Sequence, residues 1–119
     1  MTKKDGGPDR LALLQGTLDM LVLQTLSWGP LHGHGIAVTI QRQSGDQLLV
    51  DHGSLYPALE RLQAKRWVTI TPGALESGRK VRQYKLTPLG RRQLARETSK
   101  WSRLTEAIAR ILVPSPLRD

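Results

Sequence analysis

A chain of 119 residues has the length of one domain and can bury only a modest core by itself. It contains no cysteine, which excludes disulfides, thiolate metal sites and a cysteine nucleophile and fits a reducing cytoplasm. A formal charge of +8 points to a polyanionic partner, either nucleic acid or an anionic surface.

The excess charge is uneven. Residues 1–28 carry three basic and three acidic side chains, 29–87 carry eight and four, and 88–119 carry seven and three. No apolar run approaches the roughly 20 residues that span a bilayer, and the polar start Met1–Arg10 lacks the apolar core of a secretion signal. A soluble, cytoplasmic protein with no membrane partner is therefore expected.

In chain order, residues 1–10 are charged, glycine-bearing and aperiodic, which predicts a flexible arm able to touch a phosphate through Lys3 or Lys4. From Leu11 onward Leu14, Leu18, Leu21, Val22 and Thr25 recur at three- and four-residue spacing. This predicts a helix with one buried stripe that ends before Gly29-Pro30. In PLHGHGIAVTIQRQSG the glycines at 33 and 35 interrupt the pattern and Ile36 and Ile40 resume it, giving a second helix of about two to three turns.

Leu48 to Val50 form a short extended link, and DHGSLYPALERLQ opens a third helix that should end near Lys65 or Arg66. On a helical wheel Leu59, Leu62 and Arg66 fall within about 40° of Leu55, which defines a narrow core side. Gly53, Pro57, Glu60 and Ala64 lie opposite, flanked by Ser54 and Arg61 on one shoulder and Tyr56 and Gln63 on the other. A proline costs about 3 kcal/mol deep in a helix and little in the first turn, so Pro57 places the helix start at about His52 to Ser54. Asp51 and Ser54 are candidate caps.

WVTIT and KVRQYKLT are rich in β-branched and aromatic residues and flank PGALESGR, which suits a hairpin loop. The order helix, helix, helix, strand, loop, strand is that of a winged helix-turn-helix domain, mainly α with a small β-hairpin. By alternation Arg82 shares a face with Tyr84 and Leu86, so the basic cluster leaves the core face only near the hairpin tip. The segment from Pro88 to Val113 is helical again, with Pro88 in the first turn and Pro114 and Pro116 stopping it. The expected organisation is a flexible arm (1–10), a DNA-binding domain (11–87), a C-terminal dimerisation helix (88–113) and a tail (114–119).

The third helix has the build of one that enters a major groove by its N-terminal half. Its start offers free N–H groups to a phosphate, with His52 beside them. Ser54, Tyr56, Pro57, Arg61 and Lys65 supply its outer surface, and Arg79, Lys80 and Arg82 cluster where a wing straddles the backbone. Chemistry of other kinds finds little support. H-x-H at His32 and His34 lacks a third ligand, and Asp51, His52 and Ser54 are too close in sequence to form a catalytic triad. GPLHGHG lacks the lysine and hydroxyl of a phosphate-binding loop. No enzyme, metal or cofactor is expected.

LLQGTLDMLVLQTL, LHGHGI, HGSLYPALERLQ and RQYKLTPLG together resemble the PadR-like family of bacterial winged-helix transcriptional regulators. The resemblance runs from about Leu11 to Leu94 and is specific in G-S-L-Y-P-A-L-x-R-L and Y-K-L-T-x-x-G. Two positions depart from the family pattern. His34 stands where an aromatic residue is frequent, and Arg66 stands where a glycine often closes the recognition helix. If that residue is left-handed, arginine there costs about 1 kcal/mol.

Trp101, Leu104, Ile108 and Ile111 are spaced three, four, three, with Leu94 one heptad upstream and Glu97 interrupting the stripe. A second subunit is the economical cover for such a stripe, and the competing reading folds it back on the first helix of its own chain. The resemblance implies pairing through the first and last helices, which adds Leu18, Met20, Leu21 and Val22 to the seam. It also implies a homodimeric repressor on an inverted-repeat operator. Some relatives answer to phenolic acids or flat lipophilic drugs, so Trp101 is the candidate surface for a small aromatic effector. The alternative is a nucleic-acid or anionic-surface module without sequence preference that acts as a protein-interaction adaptor.

Overall fold

The computed structural model describes residues 14–114. The expected arm with Lys3 and Lys4, the helix start at Leu11 and the tail beyond Pro114 lie outside the described residues. The elements in order are α1 (Gln15–Leu26), β1 (Leu31–His32), α2 (Gly33–Gln43), α3 (His52–Ala64), β2 (Val68–Ala74), β3 (Lys80–Leu86) and α4 (Pro88–Leu112).

α1 is the centre of the fold rather than a helix with one buried stripe. It packs against α2, α3, α4 and β3. Leu18, Met20, Val22, Leu23, Thr25 and Leu26 are buried along it, so apolar residues are needed around most of its circumference. The buried Thr25 hydroxyl donates to the Val22 carbonyl at 2.8 Å and so brings no unpaired polar group into the core. Ile36, Ala37 and Ile40 of α2 and Leu55, Ala58, Leu59 and Leu62 of α3 close over this helix.

The sheet has three strands in the order β1-β3-β2, with β3 central and antiparallel to both neighbours. β1 was not apparent in the sequence because it is only two residues long. Its Leu31 pairs with Tyr84 and its His32 with Gln83, which fixes the start of α2 against the hairpin. The hairpin strands run further than expected, to Ala74 opposite Lys80, leaving a tip of residues 75–79. Pro72 is tolerated within β2 because that strand lies at the sheet edge.

α3 starts within the expected range, but Pro57 is not in its first turn. The helix begins at His52, so Pro57 is its sixth residue and lies in the second turn, forfeiting the bond to the Gly53 carbonyl. Gly53 is exposed, so that carbonyl stays hydrated. Asp51 is the cap: its carboxylate accepts from the Ser54 N–H at 2.8 Å.

α3 closes in a Schellman turn. The Trp67 N–H donates to the Leu62 carbonyl at 3.0 Å and the Arg66 N–H to the Gln63 carbonyl at 2.9 Å. Arg66 has φ of 63°, the left-handed conformation in which a side chain is disfavoured. Thr87 then clasps the junction. Its hydroxyl donates to the Arg66 carbonyl at 2.7 Å and accepts from the Gly90 N–H at 2.9 Å, while its own N–H donates to the Trp67 carbonyl at 3.0 Å. A side chain at Gly90 would overlap the Trp67 carbonyl, which gives the T-x-x-G ending its physical meaning.

Among the described residues no helix is long and apolar enough to cross a membrane. Two substitutions test the junction by urea unfolding. Arg66→Gly should raise stability by about 0.5–1 kcal/mol, and Gly90→Ala should lower it by about 1–3 kcal/mol.

Candidate nucleic-acid interface

The starts of α2 and α3 lie side by side because two glycines leave room for rings. A side chain at Gly33 would overlap the Tyr56 ring, and one at Gly35 would press on the His32 imidazole at 3.1 Å. Tyr56 therefore packs over the first turn of α2, not on the hairpin, with 43% of its surface still exposed. His52 meets it edge-on at 5.6 Å between ring centres.

Across from these rings stands the hairpin. A groove of 620 Å³ is bounded by His32, His34 and Tyr56 on one side and by Arg79, Lys80 and Arg82 on the other. Tyr84 lies at its base. Burial holds the Tyr84 hydroxyl above the ordinary phenol range; the Arg82 guanidinium acts in the opposite direction, and Tyr56 and Glu60 add to the rise. Along β3 the residues are exposed at Lys80 and Arg82 and buried at Tyr84 and Leu86, so the basic cluster does leave the core face toward the tip.

His52, Ser54, Tyr56 and Pro57 are exposed on the N-terminal half of α3, as the helical wheel predicts, and Tyr56 among them lines the groove together with the wing. Lys65 sits at the opposite end of α3, its ammonium 4.8 Å from the Trp67 ring centre. Arg61 does not follow the expectation. Its guanidinium turns back to α1 and holds Asp19 with two hydrogen bonds, at 2.8 and 3.4 Å. The pair is separated by 42 residues, so no local pattern announces it. Arg61 is thus a strut that seats α3 on α1 instead of a free reader.

The residues expected at a dimer seam divide in the same way. Leu18, Val22 and Leu94 are buried in the protomer's own core, because α1 is central and the base of α4 packs on it. Leu21 is half-buried. Trp101, Leu104, Ile108 and Ile111 are exposed on the part of α4 beyond the body. Between that part and the start of α1 lies a notch of 540 Å³, formed by Leu14, Met20, Trp101 and Leu104 with Lys100 and Arg103 at its rim.

The three imidazoles stand in a row and do not converge; among the described residues no group of His, Cys, Asp or Glu is arranged to hold a metal ion. Residues 22–96, from α1 to the first turns of α4, match the model of the transcriptional regulator PadR-like family. The chain belongs to the PadR-like family.

An uncharacterised 37.1 kDa protein in transposon TN4556 of Streptomyces fradiae is 43% identical over 95 residues, which cover 80% of this chain. The match takes in 26% of that relative, so the chain spans about a quarter of its length. Protein X of Lysinibacillus sphaericus, also uncharacterised, is 24% identical and is matched over 91% of its length and 83% of this chain. Among solved structures, a PadR-like transcriptional regulator of Bacillus cereus superposes with a TM-score of 0.76 at 24% identity, covering 86% of this chain and 97% of that one. A PadR family regulator of Clostridium difficile gives 0.69 at 22% identity, covering 81% and 98%. Regulators of the PadR-like family are non-enzymatic, bind DNA and usually act as dimers.

If Arg61 is a strut, its partner matters equally. A double-mutant cycle of Asp19→Asn and Arg61→Met, read by chemical unfolding, should show a coupling of about 1 kcal/mol for this partly exposed two-bond pair.

Proposed function

We propose that this PadR-like protein is a sequence-specific transcriptional repressor that binds an inverted-repeat operator as a homodimer. The observation that carries the reading is that Tyr56, exposed on the N-terminal half of α3, lines one groove with His32, His34 and the wing residues Arg79, Lys80 and Arg82. α3 enters the major groove from its N-terminal end, and the wing lies on the adjoining phosphates and minor groove.

His52, Ser54, Tyr56, Glu60 and Gln63 are side chains of α3 able to hydrogen-bond to bases or phosphates. Gly53, Pro57 and Ala64 keep the helix surface low, so that it fits the groove by shape. The basic residues of the wing dominate affinity, since each phosphate contact releases condensed counterions. Lys65, at the far end of α3, reaches the outer backbone.

The homodimer rests on the unpartnered stripe of α4. Trp101, Leu104, Ile108 and Ile111 lie on one face and are too apolar to remain in water on a helix that the described residues of its own chain leave bare. With Leu18, Val22 and Leu94 committed to the protomer core, the seam is formed by this stripe together with Leu14, Leu21 and the notch beside Met20. Two copies related by a two-fold axis present their third helices to half-sites about one helical turn apart. A small aromatic effector that stacked on Trp101 would compete with this packing and release the operator.

Purified full-length protein mixed with fragmented genomic DNA should enrich a shared inverted repeat, and a promoter carrying it should be transcribed less in the protein's presence. Enrichment with no common sequence would overturn the reading and favour a non-specific module. In gel-shift titrations on the enriched site, Tyr56→Phe and Lys80→Ala should each weaken binding by about 1 kcal/mol, roughly fivefold, with circular dichroism unchanged. Ile108→Glu should convert the dimer to a monomer in light-scattering chromatography and reduce operator affinity by at least about tenfold.

A further inference from the structure

The chain has three histidines; His32 and His34 line the groove just described, and His52 stands beside His34 and Tyr56. His32 ends β1, His34 lies in the first turn of α2 and His52 opens α3. Their ring centres form a row, with 6.2 Å from His32 to His34, 6.1 Å from His34 to His52 and 5.6 Å from His52 to Tyr56. Core packing does not account for the row, because His34 and His52 are exposed and His32 is half-buried. Metal ligation does not account for it either, since among the described residues no metal-holding group exists.

The charged and titratable surroundings are cationic on balance. The wing brings Arg79, Lys80 and Arg82 to the opposite wall, and Tyr84 is buried at the base. Glu76 lies in the hairpin tip outside the groove lining. From α3 come Asp51, Tyr56 and Glu60, and the Asp51 carboxylate is committed to the Ser54 N–H that it caps. α2 contributes no other charged group until Arg42 at its far end. A ligand that fits this groove is therefore an anion.

Imidazole is the side chain whose ordinary titration lies between pH 5 and 8. A phosphate brought within about 4–6 Å favours the protonated form. We propose that the row His32, His34 and His52 is a phosphate-binding element of the DNA interface that becomes cationic as DNA binds, so that operator affinity rises as pH falls. This rests on the reading of the groove as the DNA-binding face. The sign follows from linkage: the complex holds more protons than the free protein, so the added affinity is present at low pH and lost as pH rises.

The test uses full-length protein and a fluorescein-labelled duplex of about 20 base pairs carrying the enriched site. Anisotropy titrations at constant ionic strength should show affinity falling about tenfold from about pH 6 to about pH 8. The doubly substituted His34→Gln, His52→Gln protein should keep less than about a twofold change across the range. His34→Arg, with a permanent charge, should bind near pH 8 more tightly than the wild type. Calorimetry in buffers of different ionisation enthalpy should read proton uptake on binding by the wild type and its loss in the double variant.

A flat wild-type profile, or a pH dependence that survives in the double variant, overturns the proposal. If the profile is flat while Arg79→Ala and Lys80→Ala still weaken binding, the proton link alone has failed and the groove remains the DNA face. If those wing variants bind as the wild type does, the placement of DNA in the groove fails, and the histidine element fails with it.

Discussion

Thr87 holds three elements in one place. Its hydroxyl and its N–H together engage the Arg66 carbonyl, the Gly90 N–H and the Trp67 carbonyl. Those contacts set where α3 stops, where the hairpin begins and returns, and where α4 departs. Gly90 allows the approach, and Arg66 takes up the left-handed turn that brings the chain round. Without this clasp the wing and the third helix would share a core but no fixed relation to each other, and a groove shared between them needs that relation.

The other supports act on the same helix from different sides. The three leucines of α3 hold it radially against α1, Arg61 and Asp19 resist its sliding, and Asp51 terminates it at the end that faces the groove. Burial of apolar surface supplies most of the free energy, at about 1.5–3 kcal/mol per fully buried leucine, whereas the partly exposed ion pair adds about 1 kcal/mol or less. The pair contributes orientation in a sense the leucines cannot, because dispersion contacts are not directional. Tyr56 and Gly33 then set the spacing of the two helix starts by ring contact.

Much of this was legible in the sequence because it is local. Leucine spacing marks the helices and β-branched and aromatic runs mark the hairpin, whereas the turn at Arg66 was open in the sequence and is left-handed, with φ of 63°. What escaped is long-range or depends on context. Asp19 gives no sign that it will meet Arg61, and a strand of two residues at Leu31–His32 has no period to detect. Leu18 and Val22, expected at a seam, are buried in the protomer's own core, because a helical stripe shows that a face is buried and not which chain covers it. Pro57 was assigned to the first turn on its average cost, while the exposed Gly53 carbonyl lets the second turn carry it. The histidine row was invisible because its members come from two separate helix starts.

α4 is 25 residues long and meets the body only near its base, with every residue from Lys100 onward exposed. At 1.5 Å per residue it is a rod of about 37 Å, held at one end. Mechanically it is a lever whose pivot is Gly90 against the Trp67 carbonyl. A rotation of about 5° at that pivot sweeps the far end through about 3 Å, close to the rise of one base pair. In any assembly that grips the far end of α4, the tightness of one glycine contact therefore governs, with large gain, the distance at which two reading heads are held.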